Sequence, residues 1–335
     1  MEKQLIKQND TATSKKKKSA LQRLYGLHDF GVLVAAIVVA VFFTITAPAF
    51  LTPYNLFNLF RQTSELGIIA MAMTILIISG EFDLSVGAIY AVTGIVTGLL
   101  FKKADWNIWL AAIVAIAFAL FLGFINGILI TKTRMHSFIG TLATMMVFRG
   151  TAMVLSQGQP VSAFPQKFFF EIAGRAKLFG AVPIPILWLV VWGLVMYILL
   201  HRTAFGVKVF ATGDSREAAD LAGIKTIRIK RISFLITALA AGVSGIISLG
   251  YLKTVTPTQG TGIELEAIAA SVIGGTAMTG GVGSIIGAFI GALIMAEVRT
   301  GLMLMGTDAY VQDAFVGLII AVAVVINVKL SHRKV

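Results

Sequence analysis

Cysteine is absent from the 335-residue chain, which excludes disulfides, thiolate metal sites and a thiol nucleophile. Charge is scarce as well, with only 13% of residues Asp, Glu, Lys or Arg. No G-x4-G-K-[ST] phosphate loop occurs, nor even a Gly-Lys dipeptide, so ATP binding by that route is excluded and ATP-derived energy would need another chain. His28, His136, His201 and His332 sit at or beyond the ends of apolar segments, where solvation explains them better than metal ligation. No catalytic group, metal site or cofactor is expected.

What the chain has in abundance is apolar surface: 57% of residues are hydrophobic and the mean hydropathy is +0.88. Apolar runs recur near the ~20 residues a helix needs to cross a ~30 Å hydrocarbon core. The runs are continuous rather than alternating, and backbone in lipid must satisfy its own hydrogen bonds, so helices are favoured over a barrel. The fold class is therefore all-α, a polytopic transmembrane bundle of about ten segments in contact with membrane lipid. We place them at 31–50, 56–79, 84–101, 108–131, 138–155, 184–200, 232–252, 263–275, 282–304 and 314–328. The eighth is short and the second carries Arg61 and Glu65, so either could be broken or re-entrant. Residues 1–29, with the run Lys15 to Lys18, are expected to form a disordered basic cytoplasmic tail, and 329–335 a second cytoplasmic tail flanking a 30–328 transmembrane domain. Ala47-Pro48-Ala49 has the form of a signal-peptidase site, but the long polar leader and spanning length of the first run argue for retention.

The net charge of +12 could suggest nucleic acid, but in a polytopic protein Lys and Arg gather on cytoplasmic loops. With the N-terminus cytoplasmic, 19 basic residues fall inside and 8 outside, with Arg149 within a segment. That asymmetry favours cytoplasmic N- and C-termini and no nucleic-acid partner. Residues 157–182 become the longest external loop and 201–231 the longest internal one.

The internal loop contains Glu217-Ala218-Ala219 followed by Gly223, an EAA-x3-G pattern in a helix-favouring stretch that ends at a C-cap glycine. Such a helix lies along the membrane face. Glu217 and Asp220 can bond a partner, and the alanines permit close approach in a groove on a cytosolic protein. A solvated connector is the alternative.

Four stretches carry a family resemblance: ISGEFDLSVGA at 78–88, SFIGTLATMMVFRG at 137–150, TAFGVKVFATGDSREAADLAGI at 203–224, and QGTGIELEAIAASVIGGTAMTGGVGSIIGAFIGALI at 259–294. Over essentially its whole length after the tail, the chain resembles the permease subunit of bacterial ABC sugar importers of the ribose, xylose and autoinducer-2 type. The resemblance implies an inner-membrane protein whose EAA-like loop (Glu217, Ala218, Ala219, Asp220, Gly223) inserts into a cytosolic ATP-binding subunit. It also implies an extracytoplasmic solute-binding protein that supplies specificity, and a second permease copy, identical or similar. The expected cargo is a monosaccharide or small polyol. An ion-coupled secondary carrier is the main alternative and would need intramembrane ionisable relays; a sugar channel is a third reading.

Candidate pathway residues lie where polar groups interrupt apolar sequence. Glu81, Asp83 and Ser85 sit between two segments, where Asp83 either caps the next helix or lines a path, roles that are compatible at a helix N-terminus exposed to a cavity. Glu81 stands where the family often has glycine. Asn126 and Arg149 lie inside apolar helices and should face the bundle or a cavity. Glu264 and Glu266 open the eighth segment two residues apart, so they should not share a face, one able to cap while the other meets the path. Gly283, Gly287 and Gly291 repeat every four residues, as Gly94 with Gly98 and Gly123 with Gly127 do, which suits close helix packing or a mobile gating face. Met71, Met73, Met145 and Met146 read as core. Gly80-x5-Val86-Gly87 and Gly275-x6-Val282-Gly283 echo each other, as pseudo-symmetric halves would.

Overall fold

Each expected apolar run folds around a helix in the computed structural model, which describes residues 30–332; the N-terminal tail 1–29 lies outside the described residues. The helices are α1 (Phe30–Thr46), α2 (Pro53–Ile78), α3 (Val86–Lys102), α4 (Ile108–Thr133), α5 (Ser137–Ser156), α6 (Ile184–His201), α7 (Ala204–Asp214), α8 (Arg216–Leu221), α9 (Thr226–Leu252), α10 (Ile263–Ile273), α11 (Ile285–Leu304) and α12 (Ala309–His332). A two-stranded antiparallel ribbon, β1 (Lys177–Leu178) and β2 (Val182–Pro183), lies in the loop between α5 and α6. Six helices, α2, α4, α5, α6, α9 and α11, are long and apolar enough to span a bilayer by length and composition.

Sequence-local signals set the boundaries. The second segment is one unbroken helix: Thr52 caps it by accepting the Asn55 amide, and Pro53 takes the first turn, where its missing N–H is not needed. Arg61 and Glu65 do not break it because they pair with each other one turn apart. α12, the helix of the tenth segment, runs on to His332, into the region expected to be tail, of which 333–335 lie outside the described residues.

The eighth segment differs. Helix α10 has 11 residues, about 16 Å at ~1.5 Å per residue, half of a hydrocarbon core. The rest of its crossing is a non-helical leg, 253–262, most of it turns. The leg starts beside the α5–α6 loop, where Val161 and Val255 exchange backbone hydrogen bonds. It then returns along α3: Gly94 abuts Val255, and Gly87 and Tyr90 abut Gly260. The crossing is thus half irregular, one bridge residue followed by turns, and half helical, a break of the kind the segment's brevity allowed.

The helices sort into a core and a shell. α2, α3, α9, α10 and α11 hold most of the fully buried side chains, including Ile68, Ile69, Met71, Met73, Ile89 and Phe234. α9 packs on α4, α3 and α2, while α11 packs on α2, α1 and α10. α5, α6 and α12 turn large apolar residues outward, among them Val147, Val154, Val190 and Leu318. In a membrane protein such an outward apolar surface faces lipid rather than water. Met71 and Met73 are core as expected and Met145 packs against it, but Met146 is exposed on the outer side of α5.

Candidate functional site

The polar residues of the 79–85 turn separate into two environments. Asp83, Ser85 and Asn126 come together as a wholly buried cluster. Asp83 Oδ1 accepts from the Ser85 amide at 2.8 Å and the Ser85 hydroxyl at 2.7 Å. Asn126 Nδ2 donates to Ser85 Oγ at 2.7 Å and to Asp83 Oδ1 at 3.3 Å. Thr237 of α9 donates to Asp83 Oδ2 at 3.4 Å. Asp83 therefore fastens α3, α4 and α9 to one another. The N-cap position of α3 belongs to Ser85, whose side chain makes no cap bond, so the capping expected of Asp83 becomes a local turn bond instead.

Glu81, two residues earlier, points elsewhere. Its Oε1 accepts from Lys230 Nζ at 2.5 Å at the start of α9, and both side chains are mostly buried. Glu81 also walls a cavity of about 460 Å³ shared with Phe82, the α4–α5 turn, α10 and α12. A smaller cavity of about 70 Å³ lies on its other side, walled by Lys230, Arg134 and Arg216.

The non-helical leg poses a hydrogen-bonding problem, because carbonyls freed from a helix inside the bundle have no water to replace their partners. Arg149 solves much of it: its guanidinium donates to the carbonyls of Pro257 at 2.9 Å and Gln259 at 2.8 Å. Gln259 Oε1 accepts from the Thr256 amide and its Nε2 donates to Ser248. Glu264 Oε1 accepts the Gly262 amide and so serves the N-terminus of α10. Its Oε2 is buried without a hydrogen-bond partner, against Gly87 of α3, where any Cβ would collide with it. Glu266 turns away and pairs with Arg299 of α11, which also reaches Asp313 of α12 at 3.2 Å. The two glutamates thus occupy different faces, as their spacing predicts. Beside them, Tyr90 donates to Glu65 Oε2 at 2.7 Å, and Arg61 stacks 4.1 Å above the Tyr251 ring.

Small residues set the helix spacing. A Cβ on Gly291 would enter the Ala270 carbonyl, and one on Gly274 would meet the Gly287 backbone, so α10 and α11 touch main chain to main chain. Gly283 lies in the turn before α11, not on its face, and packs against Ile78 and Thr276. Gly94 and Gly98 receive Val255 and Val161, and Gly123 and Gly127 receive Ala238 and Arg231.

The loop between α6 and α9 forms two helices rather than one. Ser215 separates them and caps α8 by accepting the Ala218 amide at 3.3 Å. Gly223 follows with φ +81°, a left-handed conformation in open space that suits glycine. Asp220 accepts from Thr226 at 2.7 Å, which folds α8 back toward α9. Ala219 is buried in that contact, whereas Glu217, Ala218 and Leu221 face outward, Leu221 with 91% exposure. α7 is wedged in the bundle: a Cβ on Gly213 would run into the Ile78 carbonyl and the Gly281 amide. Gly281 N itself donates to Ile78 O at 2.9 Å. The two turns that echo each other in sequence, 79–85 and 274–284, therefore meet at Ile78 and Gly281, directly under α7.

Sequence reasoning flagged most of the polar residues but missed several of their partners. Lys230 gave no signal beyond its charge, and Thr237, Ser248 and Tyr90 look like ordinary helix content until the fold sets them opposite carboxylates and amides. Gln259 stood in a quoted stretch, yet only the unwound leg explains it.

A family model described as "Branched-chain amino acid transport system / permease component" matches residues 55–324. The chain is 38% identical over 306 residues to the ribose import permease protein of Bacillus subtilis (strain 168), covering 91% of this chain and 94% of that one. It is 34% identical to the L-arabinose ABC transporter permease protein of Azospirillum brasilense, covering 89% of this chain and 86% of the other. Identity to the xylose/arabinose import permease protein of Sulfolobus acidocaldarius is 31%, covering 89% of this chain and 84% of the other. No solved structure matches the chain.

Proposed function

The chain belongs to the permease-component family of the branched-chain amino acid transport systems, and from that premise we propose that it forms the membrane path of an ATP-driven importer of a monosaccharide. The curated relatives named above are importers of ribose, arabinose or xylose by name, which supports a pentose-sized cargo. Energy enters from a cytosolic ATP-binding subunit seated on α8. Solute arrives from an extracytoplasmic binding protein, and a second permease copy completes the path. The α7–α8 end is cytoplasmic, and both termini lie on that side, in keeping with the excess of basic residues on the corresponding loops.

The observation that carries the reading is the position of α7–α8. α8 offers Glu217, Ala218 and Leu221 outward, while α7 sits on the junction of the 79–85 and 274–284 turns. A push on α8 is thereby delivered to the end of α2 and to the turn that leads into α11. Close packing makes such junctions transmit displacement rather than absorb it.

An ion-coupled carrier is the second reading, favoured by Glu297 of α11, a buried carboxylate whose Oε2 has no hydrogen-bond partner. One experiment separates them. Purified alone into liposomes, the chain should neither hydrolyse ATP nor accumulate D-ribose, L-arabinose or D-xylose when a proton or sodium gradient is imposed. Gradient-driven accumulation by the chain alone would overturn the importer reading.

A further inference from the structure

Two carboxylates in one short turn have different freedom. Both oxygens of Asp83 are occupied inside the bundle and the residue is fully buried. Glu81 has only Oε1 engaged, by Lys230, and its side chain walls the 460 Å³ cavity. Lys230 borders the small cavity alone, whereas Glu81 borders both, so the carboxylate stands between its cation and the larger space. That space falls within the ~300–1,000 Å³ typical of small-molecule sites.

Its walls suit one class of ligand. Glu81 is a pure acceptor whose charge is already balanced by Lys230, so an uncharged hydroxylated solute can bond it without leaving a bare charge behind. Arg134 supplies complementary donors at the same end. Phe82 and Phe138 offer rings whose negative faces attract polarised C–H bonds, and Leu265 and Ile268 of α10 close the apolar side. Hydroxyls on one edge and C–H bonds on the faces are what a monosaccharide presents. The cavity also lies toward the α8 end of the bundle, beside the half-helix α10.

We propose that this cavity is a monosaccharide subsite on the cytoplasmic half of the path, with Glu81 as its hydroxyl-accepting, specificity-determining group and Lys230 as the residue that positions it. The proposal rests on the importer reading, and it adds a contact for the solute within the permease itself.

The cysteine-free chain allows a direct test. Leu265→Cys places one thiol in the cavity wall, and its modification by a small maleimide is timed in purified full-length chain with and without D-ribose. Occupancy slows labelling by 1 + [L]/Kd, so ribose at nine times its dissociation constant should slow it about tenfold. Adding Glu81→Ala should raise the dissociation constant roughly tenfold or more and so cut the protection at that ribose concentration to about twofold or less, while Glu81→Gln, which keeps the shape and one acceptor, should cut it less. L-Arabinose and D-xylose serve as comparison probes. Absence of protection by all three sugars, or protection unchanged in both Glu81 variants, overturns the proposal. Stronger protection by ribose 5-phosphate than by ribose would instead assign the site to anions. Because labelling needs no partner subunit, failure of sugar uptake in the assembled system counts against the importer reading and leaves the labelling result to decide the subsite.

Discussion

The knot around Asp83 and the face of α8 are built on opposite plans. At the knot, a carboxylate, the Nδ2 of an amide and two hydroxyls bond one another out of reach of solvent and tie three helices together. On α8, Glu217, Ala218 and Leu221 stand exposed with little of the molecule against them. The first arrangement fixes how helices cross. The second is available to another protein, and Gly213 joins the two by letting α7 rest on the turns that lead into the knot. Stability and coupling should therefore respond to different substitutions, and the sharpest tests set them against each other.

The largest effect should come from the joint itself. Gly213→Val drives a branched side chain into the Ile78 carbonyl and Gly281 amide, where neither backbone can yield cheaply. Overpacking of this kind costs ~1–3 kcal/mol or more, so membrane levels and melting temperature in detergent should both fall, and transport with them. Normal stability with normal uptake would show that α7 does not bear on those turns.

Asp83→Ala should come next. It strands the Ser85 amide and hydroxyl as buried donors, while Asn126 keeps its bond to Ser85 Oγ and Thr237 its bond to the Phe234 carbonyl, a loss of about 1–3 kcal/mol. A lower melting temperature, with Asp83→Asn intermediate, is the expected result. A variant that melts like the parent but loses transport would move Asp83 from scaffold to pathway.

Arg216→Ala should do least to stability. Its contact to Asp220 spans 3.8 Å between half-exposed side chains, and such pairs are worth ~0–1 kcal/mol. A melting shift near zero is predicted; a large drop would mean that α8 is part of the scaffold after all.

How much of this the sequence announces depends on how local the cause is. Helix count and placement follow from run length and polarity, which are properties of a segment, and helix appears in every expected run. The Thr52–Pro53 cap and the shortness of the eighth segment are local too. The leg at 253–262 is local only in part: Pro257, Gly260 and Gly262 announce that the helix must break, but the carbonyls of Pro257 and Gln259 are held by Arg149, more than a hundred residues away. The same limit separates Glu81 from Asp83: both read as turn carboxylates, and only the distant Lys230 and Thr237 tell them apart. Gly283 read as part of a helical stripe because its spacing fits, yet the helix begins two residues later. Spacing cannot report where a backbone starts to wind.

The claim that α8 is where ATP-derived force enters is tested most directly by paired measurement of membrane level and sugar uptake in cells whose own copy is deleted. Glu217→Lys reverses an exposed charge, and Gly223→Val forces a branched residue into a left-handed turn at φ +81°. Neither touches the knot. Losing contacts at the centre of a docking face commonly costs ~2 kcal/mol or more. Both variants should therefore reach the membrane at parental levels while uptake of D-ribose falls, Gly223→Val more than Glu217→Lys. Uptake at the parental rate by both, at parental levels, would contradict the account and leave α8 a connector.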